Sequence, residues 1–245
     1  MSKNMLSNKV LKTFKYRLYP TEEQLQAIDR TLSLCRFLYN SMLSHRITCY
    51  KNGKSVSRID QLNEIPSIKN EFPEYNSIHS QVLQDVGVRL DKAYQNFFRR
   101  VKHGEKPGFP RFKGYNQYDT FCYPQSGFEM KHGRLKLSKI GIIKIKLHRP
   151  IAGKMKTCSI TRKNGKYYAC FSCEVETMPL PQKGNVVGID VGISHLAITS
   201  AGEFFPKSDN LRKTEKNLKR LQKTVSRRKK GSNRRKKAVR ELAVA

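Results

Sequence analysis

The sequence predicts an α+β protein: a barrel-like β module with an inserted helical lobe, then the first strands of a second, incomplete sheet and a basic helix. Three observations carry this. A clean two-residue alternation over residues 10–19 is separated from its sister strands by a stretch of helical periodicity. The pair Asn164-Gly165, the strongest two-residue hairpin signal in the chain, joins two later alternating segments. The apolar run Val186–Ile193 then feeds a second apolar strand, His195–Thr199, and dense Lys and Arg follow.

The elements follow in order. Val10, Lys12, Phe14, Tyr16 and Leu18 fall on one face of the first strand, mainly apolar, and Pro20 ends it. Thr21 with Gln24 three residues on forms a capping box. The helix after it carries Leu25, Ile28, Leu32, Cys35, Leu38 and Met42 at three- and four-residue spacing. A Lys/Asn/Gly/Ser stretch over residues 51–57 predicts a loop, and a second helix aligns Val82, Val86, Leu90, Ala93, Phe97 and Val101. Pro107-Gly108-Phe109-Pro110 excludes helix. Strands are expected at residues 134–137, 142–148, 155–162 and 166–176. Met178-Pro179-Leu180-Pro181 reads as a stiff linker and a domain boundary. Beyond the second sheet, Leu211, Leu218, Leu221 and Val225 keep a narrow apolar seam on a basic helix that Gly231-Ser232 interrupts.

Charge points to the partner. Lys and Arg number 49 against 19 acids, a net charge of +30. Sixteen of the cations lie between Lys207 and Arg240, against Asp209 and Glu215 alone. Such an excess repels itself in isolation and favours a polyanion. No run approaches the ~20 apolar residues of a membrane span, the N-terminus lacks a signal-peptide core, and no cofactor box appears, so neither a membrane nor a small-molecule substrate is expected. The six cysteines are irregularly spaced, as reduced thiols of a cytoplasmic protein are. Cys170 and Cys173 form a Cys-x-x-Cys pair, but residues three apart on a strand point to opposite faces, so a shared zinc is not expected.

Asp190 is the sharpest chemical candidate. Its strand, apolar on both sides, reads as a buried central strand, and Gly192 permits a turn after it. A carboxylate buried there needs a cation or hydrogen bonds, which makes a metal-ligand role reasonable; the bland alternative is an Asp capping its own turn. An ATPase of the actin and sugar-kinase type begins similarly, but Ile193-Ser194-His195-Leu196 offers little phosphate cradle. Phe109, Phe112, Tyr115, Tyr118, Phe121 and Tyr123 interleave with Arg111 and Lys113, a pattern that suits base stacking among cations; about half of these rings are expected to fill the core instead. Arg227-Arg228-Lys229-Lys230 and Arg234-Arg235-Lys236-Lys237 suit phosphate neutralisation without a base code.

Four segments together resemble the TnpB-type proteins of bacterial insertion sequences, RNA-guided DNA endonucleases related to type V CRISPR effectors. They are Tyr16-Arg17-Leu18-Tyr19-Pro20, then Ala93-Tyr94-Gln95-Asn96-Phe97-Phe98, then Gly108-Phe109-Pro110-Arg111-Phe112, and finally Gly188-Ile189-Asp190-Val191-Gly192-Ile193 with the run Leu221 through Lys237. The resemblance implies a wedge-type β barrel from residues 1–20 and 105–180, a helical recognition lobe over 21–104, and the start of a RuvC-like nuclease domain of RNase H fold over 184–245. It implies guide RNA and double-stranded target DNA as partners, and a location on the bacterial nucleoid. Lys15 and Arg17 would join the nucleic-acid contacts, and Gln84 with Tyr123 or Gln125 would read a short DNA motif. Asp190 would be the first catalytic carboxylate, holding Mg²⁺. The family's later Glu and Asp and its zinc ribbon have no counterpart here: Glu203, Asp209, Glu215 and Glu241 are the only later acids, and none ends a convincing core strand. The expectation is therefore a nucleic-acid-binding portion that does not cleave alone, ending at Val244-Ala245 inside a continuing helix and leaving apolar surface exposed around 186–199. A nuclease-inactive RNA- or DNA-binding regulator using the same barrel is the alternative.

Overall fold

In the computed structural model, residues 8–115, 117–177, 184, 186–207 and 210–244 are described. The chain divides into two compact units, Met1–Met178 and Pro179–Ala245. The 178–181 linker expected from the sequence lies outside the described residues.

In the first unit β1 (Asn8–Tyr19) ends at Pro20, and α1 (Glu22–Lys51) begins behind the cap that Thr21 and Gln24 make reciprocally. Gln24 Nε2 also donates to the carbonyl of Ile142, 2.9 Å away, and so ties the helix start to the sheet. Two short helices, α2 (Arg58–Asn63) and α3 (Ile65–Glu71), and a 3₁₀ turn (Pro73–Ser77) lead to α4 (Ser80–Lys102). Ile28, Leu32, Cys35, Leu38 and Met42 of α1 are buried, as their spacing requires, with Val82, Val86 and Leu90 of α4. Val101, at the far end of the α4 stripe, is exposed.

The chain then returns as β2 (Thr120–Tyr123), β3 (Phe128–Lys131), β4 (Arg134–Leu137), β5 (Gly141–Lys146), β6 (Lys154–Lys163) and β7 (Lys166–Thr177). These join β1 in one seven-stranded sheet ordered β2-β6-β7-β1-β5-β4-β3, antiparallel at every pair. The first strand thus sits between β7 and β5, far from both in sequence. The end strands β2 and β3 are consecutive in the chain. Ser138 donates its N–H to Gly127 O, and the Tyr123 hydroxyl donates to Ser138 O, which draws the two edges together. The sheet is barrel-like, with Phe14, Tyr16, Leu18, Phe121, Tyr123 and Phe171 among its inward residues. Asn164 (φ 53°) and Gly165 (φ 71°) both take the left-handed region that a two-residue hairpin needs. Cys173 is buried in the barrel while Cys170 sits half-buried on the other face, so the two thiols diverge. Among the described residues no group of three or more His, Cys, Asp or Glu is placed to hold a metal.

The second unit differs from expectation at its start. Only Ile189–Asp190 is paired as strand, β8, and it meets β9 (His195–Thr199), which pairs in turn with β10 (Phe204–Pro206). Val187, Ile189, Val191 and Ile193 are all exposed. The reading of a buried central strand is therefore wrong for these residues: burial needs layers packed on both faces, and among the described residues β8 pairs only with β9 while its apolar side chains stay exposed. The apolar surface expected around 186–199 is present. α5 (Asn210–Arg227) and α6 (Asn233–Leu242) form a helical pair, with Ser232 capping α6 and Ala238 buried between them. α6 closes at Leu242, so Val244 is a turn residue and does not continue the helix. Among the described residues no helix is long and apolar enough to cross a membrane.

Candidate nucleic-acid interface

Strand alternation decides what the barrel shows outside. With Phe14, Tyr16 and Leu18 inward, Lys15, Arg17 and Tyr19 face out, and with Ile143 and Ile145 inward, Lys144 and Lys146 face out. Register then sets Arg17 directly opposite Lys146, and Arg134 opposite Lys144. Like charges placed so are mutually destabilising. None of these cations has an ion-pair partner among the described residues. Aromatic faces lie beside them instead. The Lys15 ammonium sits 4.3 Å from the centre of the Tyr168 ring, and the Arg17 guanidinium lies over both Tyr19 and Tyr168 at 5.5 and 5.4 Å. Arg17 Nε is buried and donates to nothing among the described residues. Lys15 and Arg17 were predicted; Lys144, Lys146, Arg134 and Tyr168 were missed, although period-two alternation around Ile143 and Ile145 would have found the two lysines.

A second cluster forms where α4 begins. Gln81 Oε1 accepts from the N–H and hydroxyl of Ser126, at 2.9 and 3.1 Å, and its Nε2 reaches Gln125 Oε1 at 3.5 Å. Gln84, one turn further along α4, is exposed beside it. Two predicted residues, Gln84 and Gln125, are thus brought together around Gln81, which sequence reasoning missed. Tyr123 is corrected. Its ring is 1 % exposed and packs against Phe121 and His79, so it presents no face to a base. His79 lies under this cluster with Nδ1 buried and without a hydrogen-bond partner among the described residues; burial, with Lys69 and Lys139, holds its imidazole below its usual pKa.

The aromatic segment splits as expected. Phe109, Phe112 and Tyr115 are exposed; Tyr118, Phe121 and Tyr123 are core. Asn40 clamps the backbone of Lys113 through both its amide groups, at 2.8 and 3.0 Å, which leaves Arg111 and Phe112 outside. In the tail, Arg227, Arg228, Lys229, Lys230, Arg234, Lys236 and Lys237 are exposed. Arg235 is not free in the same way. It is half-buried, and its guanidinium donates to the carbonyls of Val225 and Arg228, at 3.3 and 3.1 Å, closing the C-terminal end of α5. Its predicted role as a phosphate contact is therefore replaced by a capping one.

Asp190 is exposed at the end of β8, and among the described residues it belongs to no group of three or more His, Cys, Asp or Glu placed to hold a metal. A solvated acid outside any such group does not make a Mg²⁺ pair site, so these residues as they stand do not fit the metal.

A family profile described as a probable transposase, the OrfB protein of IS605-type elements, matches residues 170–244, and its companion, described as a helix-turn-helix domain, matches 5–55. A protein of Escherichia coli (strain K12) named "Putative RNA-guided DNA endonuclease InsQ" is 31 % identical over 213 residues, which is 85 % of this chain and 52 % of that protein. The chain belongs to the TnpB-type family. Another relative, a "Putative RNA-guided DNA endonuclease" of Streptomyces pristinaespiralis, is 30 % identical to the TnpB-type chain over 206 residues, 81 % of it and 50 % of the relative. The chain spans about half the length of the curated relatives it matches. A solved structure titled "Cryo-EM structure of the Cas12f1-sgRNA-target DNA complex" superposes with a TM-score of 0.48 at 12 % identity, covering 96 % of this TnpB-type chain and 75 % of the other. The stretch matched as helix-turn-helix is, over its described residues, one strand and a single 30-residue helix.

Proposed function

We propose that this TnpB-type chain binds a guide RNA and a double-stranded DNA target as the N-terminal portion of an RNA-guided endonuclease. Residues 1–20 and 105–180 would then be the wedge-type barrel, 21–104 the recognition lobe, and 184–245 the first part of a RuvC-like domain. One observation carries the reading: like-charged residues face each other across β4, β5 and β1 without an acid between them. That arrangement is unfavourable alone and favourable against a phosphate backbone. The names of the relatives supply the kind of polyanion. Gln81, Gln84 and Gln125 supply amide groups of the type that pair with adenine edges in a major groove. The exposed tail cations add backbone contacts. Asp190 would be one metal ligand of a set the described residues do not assemble, so these 245 residues bind without cutting.

The test has two arms. Substituting Arg17, Lys144 and Lys146 by Gln should weaken RNA binding and flatten its salt dependence by about 0.7–0.9 for each phosphate that is no longer neutralised. Retention of the parent's salt slope would remove the barrel face from the interface. Incubation with Mg²⁺, cognate RNA and target DNA should leave the DNA intact; robust cutting that Asp190→Ala abolishes would overturn the non-cleaving reading.

A further inference from the structure

A cleft of about 580 Å³ in the first unit lies away from both clusters above, between the C-terminal ends of α1 and α4. Ligand pockets of this size ordinarily combine apolar walls with a few placed polar groups. Here the α4 stripe outruns the core that covers its first half, and the segment after α4 folds back to meet it. Phe109 packs edge-on against Tyr94 and Phe97, with centroids 5.6 and 5.3 Å apart. Phe98, 61 % exposed, stacks beside Tyr94, and Tyr50 at the end of α1 is 82 % exposed on the opposite wall.

Charge at the cleft is mainly positive. Asp91 is the sole acid of the lining, and it is already engaged: Arg46 lies 3.4 Å away and Gln95 donates to it at 2.7 Å. Arg46 in turn is fixed by the buried Gln61 at 2.7 Å and lies 5.1 Å over the Tyr94 ring. Lys51 and Lys54 line the same cleft with no ion pair among the described residues. An apolar protein helix would gain nothing from this cationic lining. A planar ring carrying a phosphate would use both parts.

We infer that the cleft takes unpaired nucleobases of a single strand, stacked among Phe98, Phe109 and Tyr50, with the flanking phosphates on Lys51 and Lys54. The inference rests on the polyanion reading above and adds a site for bases outside a duplex. Stacking on aromatic side chains tolerates any base, so the site would carry no sequence preference.

The experiment uses the full chain with short fluorescein-labelled single-stranded DNA, duplex DNA of the same sequence, and a single strand carrying 2-aminopurine. The parent should bind both forms and quench 2-aminopurine. Phe98→Ala with Tyr50→Ala should lower single-strand affinity by roughly ten-fold or more, leave duplex affinity and salt slope unchanged, and abolish the quench. Phe98→Trp should restore single-strand binding, which a merely misfolded variant would not. Lys51→Gln with Lys54→Gln should instead flatten the single-strand salt slope by about 0.7 per charge. Parental single-strand affinity in the aromatic double variant, with duplex binding intact, sinks this inference alone. A parent that binds no nucleic acid sinks it together with the proposed function. A parental dimer that Phe98→Ala dissociates would assign the cleft to a second copy of the chain and overturn the inference.

Discussion

Arg234 and Arg235 are neighbours of the same type, and the structure gives them different work. Arg234 is exposed, so Arg234→Ala removes at most one phosphate contact. For a duplex that lowers the salt slope by about 0.9, and a four-fold rise in salt then shrinks the parent's advantage by roughly 3.5-fold. Arg235 donates two charge-assisted hydrogen bonds to the end of α5. Bonds from a charged donor contribute about 1.5–3 kcal/mol each when buried. Arg235 is only half-buried, and screening by solvent brings the pair down to about 1–2 kcal/mol in total. At about 1.4 kcal/mol per factor of ten, Arg235→Ala should speed amide exchange across the α5–α6 turn about ten-fold. The reporting amides are Arg228, Ser232 and Lys236, which donate to Val225, Lys229 and Ser232. Exchange measured by mass spectrometry, with anisotropy titrations at several salt concentrations, separates the two roles. Arg235→Ala should lose protection and keep the parental slope; Arg234→Ala should do the reverse. A flattened slope with unchanged protection in Arg235→Ala would refute the capping assignment.

Three further outcomes follow from local geometry. A Cβ at Gly153 would run into the Glu174 carbonyl oxygen at a φ of 76°, so Gly153→Ala should cost about 2–5 kcal/mol in urea unfolding of the first unit. His79 titrates below its ordinary 6.5 because burial, Lys69 and Lys139 disfavour its cation. The unfolded chain therefore binds that proton more readily; stability is full above pH ~6.5 and falls as pH drops through the shifted value, and melting of His79→Gln should lack that acid-side loss. Gln84→Ala should lower the affinity for a preferred DNA motif by about 1–3 kcal/mol relative to scrambled DNA, with an unchanged salt slope, in competition titrations.

What could be read from the sequence was whatever local chemistry decides. Pro20 and the Thr21–Gln24 cap fix where β1 stops and α1 starts, and Asn164-Gly165 fixes the β6–β7 register, because each constrains its own backbone. β2 and β3 were not legible. Each is four residues long, and β2 exists through pairing with β6, about forty positions away. The short helix α2 could have been found: Ser57 and Asp60 make the same reciprocal cap as Thr21 and Gln24. The error at Val186–Ile193 has a different source. Apolar residues on both sides of a strand report what would suit two neighbouring layers, but the described residues provide a single partner, β9. For the site residues, alternation placed Lys15 and Arg17 outward without help. Which aromatic rings turned inward depended on the sheet closing over Phe121 and Tyr123, which no local pattern states.

The net charge of +30 is not spread evenly, and its arrangement has an energetic sign. Arg162 reaches Asp29 of α1 and Asp119 at 3.0 and 3.1 Å, Arg89 pairs with Asp85 and donates to Thr120 O, and Arg46 holds Asp91. These acids are drawn to contacts among the helices and where they meet the sheet, while Glu174 of β7 pairs within the sheet with Lys9 and Lys156. On the outward face of β4, β5 and β1, Arg17 opposite Lys146 and Arg134 opposite Lys144 are left as cations facing cations. Added salt screens that repulsion, since the Debye length falls from about 10 Å at 0.1 M to about 3 Å at 1 M. The ligand-free chain should therefore melt at higher temperature as salt rises. Bound nucleic acid stabilises the native state by mass action, and salt weakens that binding, so the complex should melt at lower temperature over the same range. Opposite slopes in the two melting series are expected. Parallel slopes would mean that the cross-strand cations neither repel one another appreciably nor meet the phosphates.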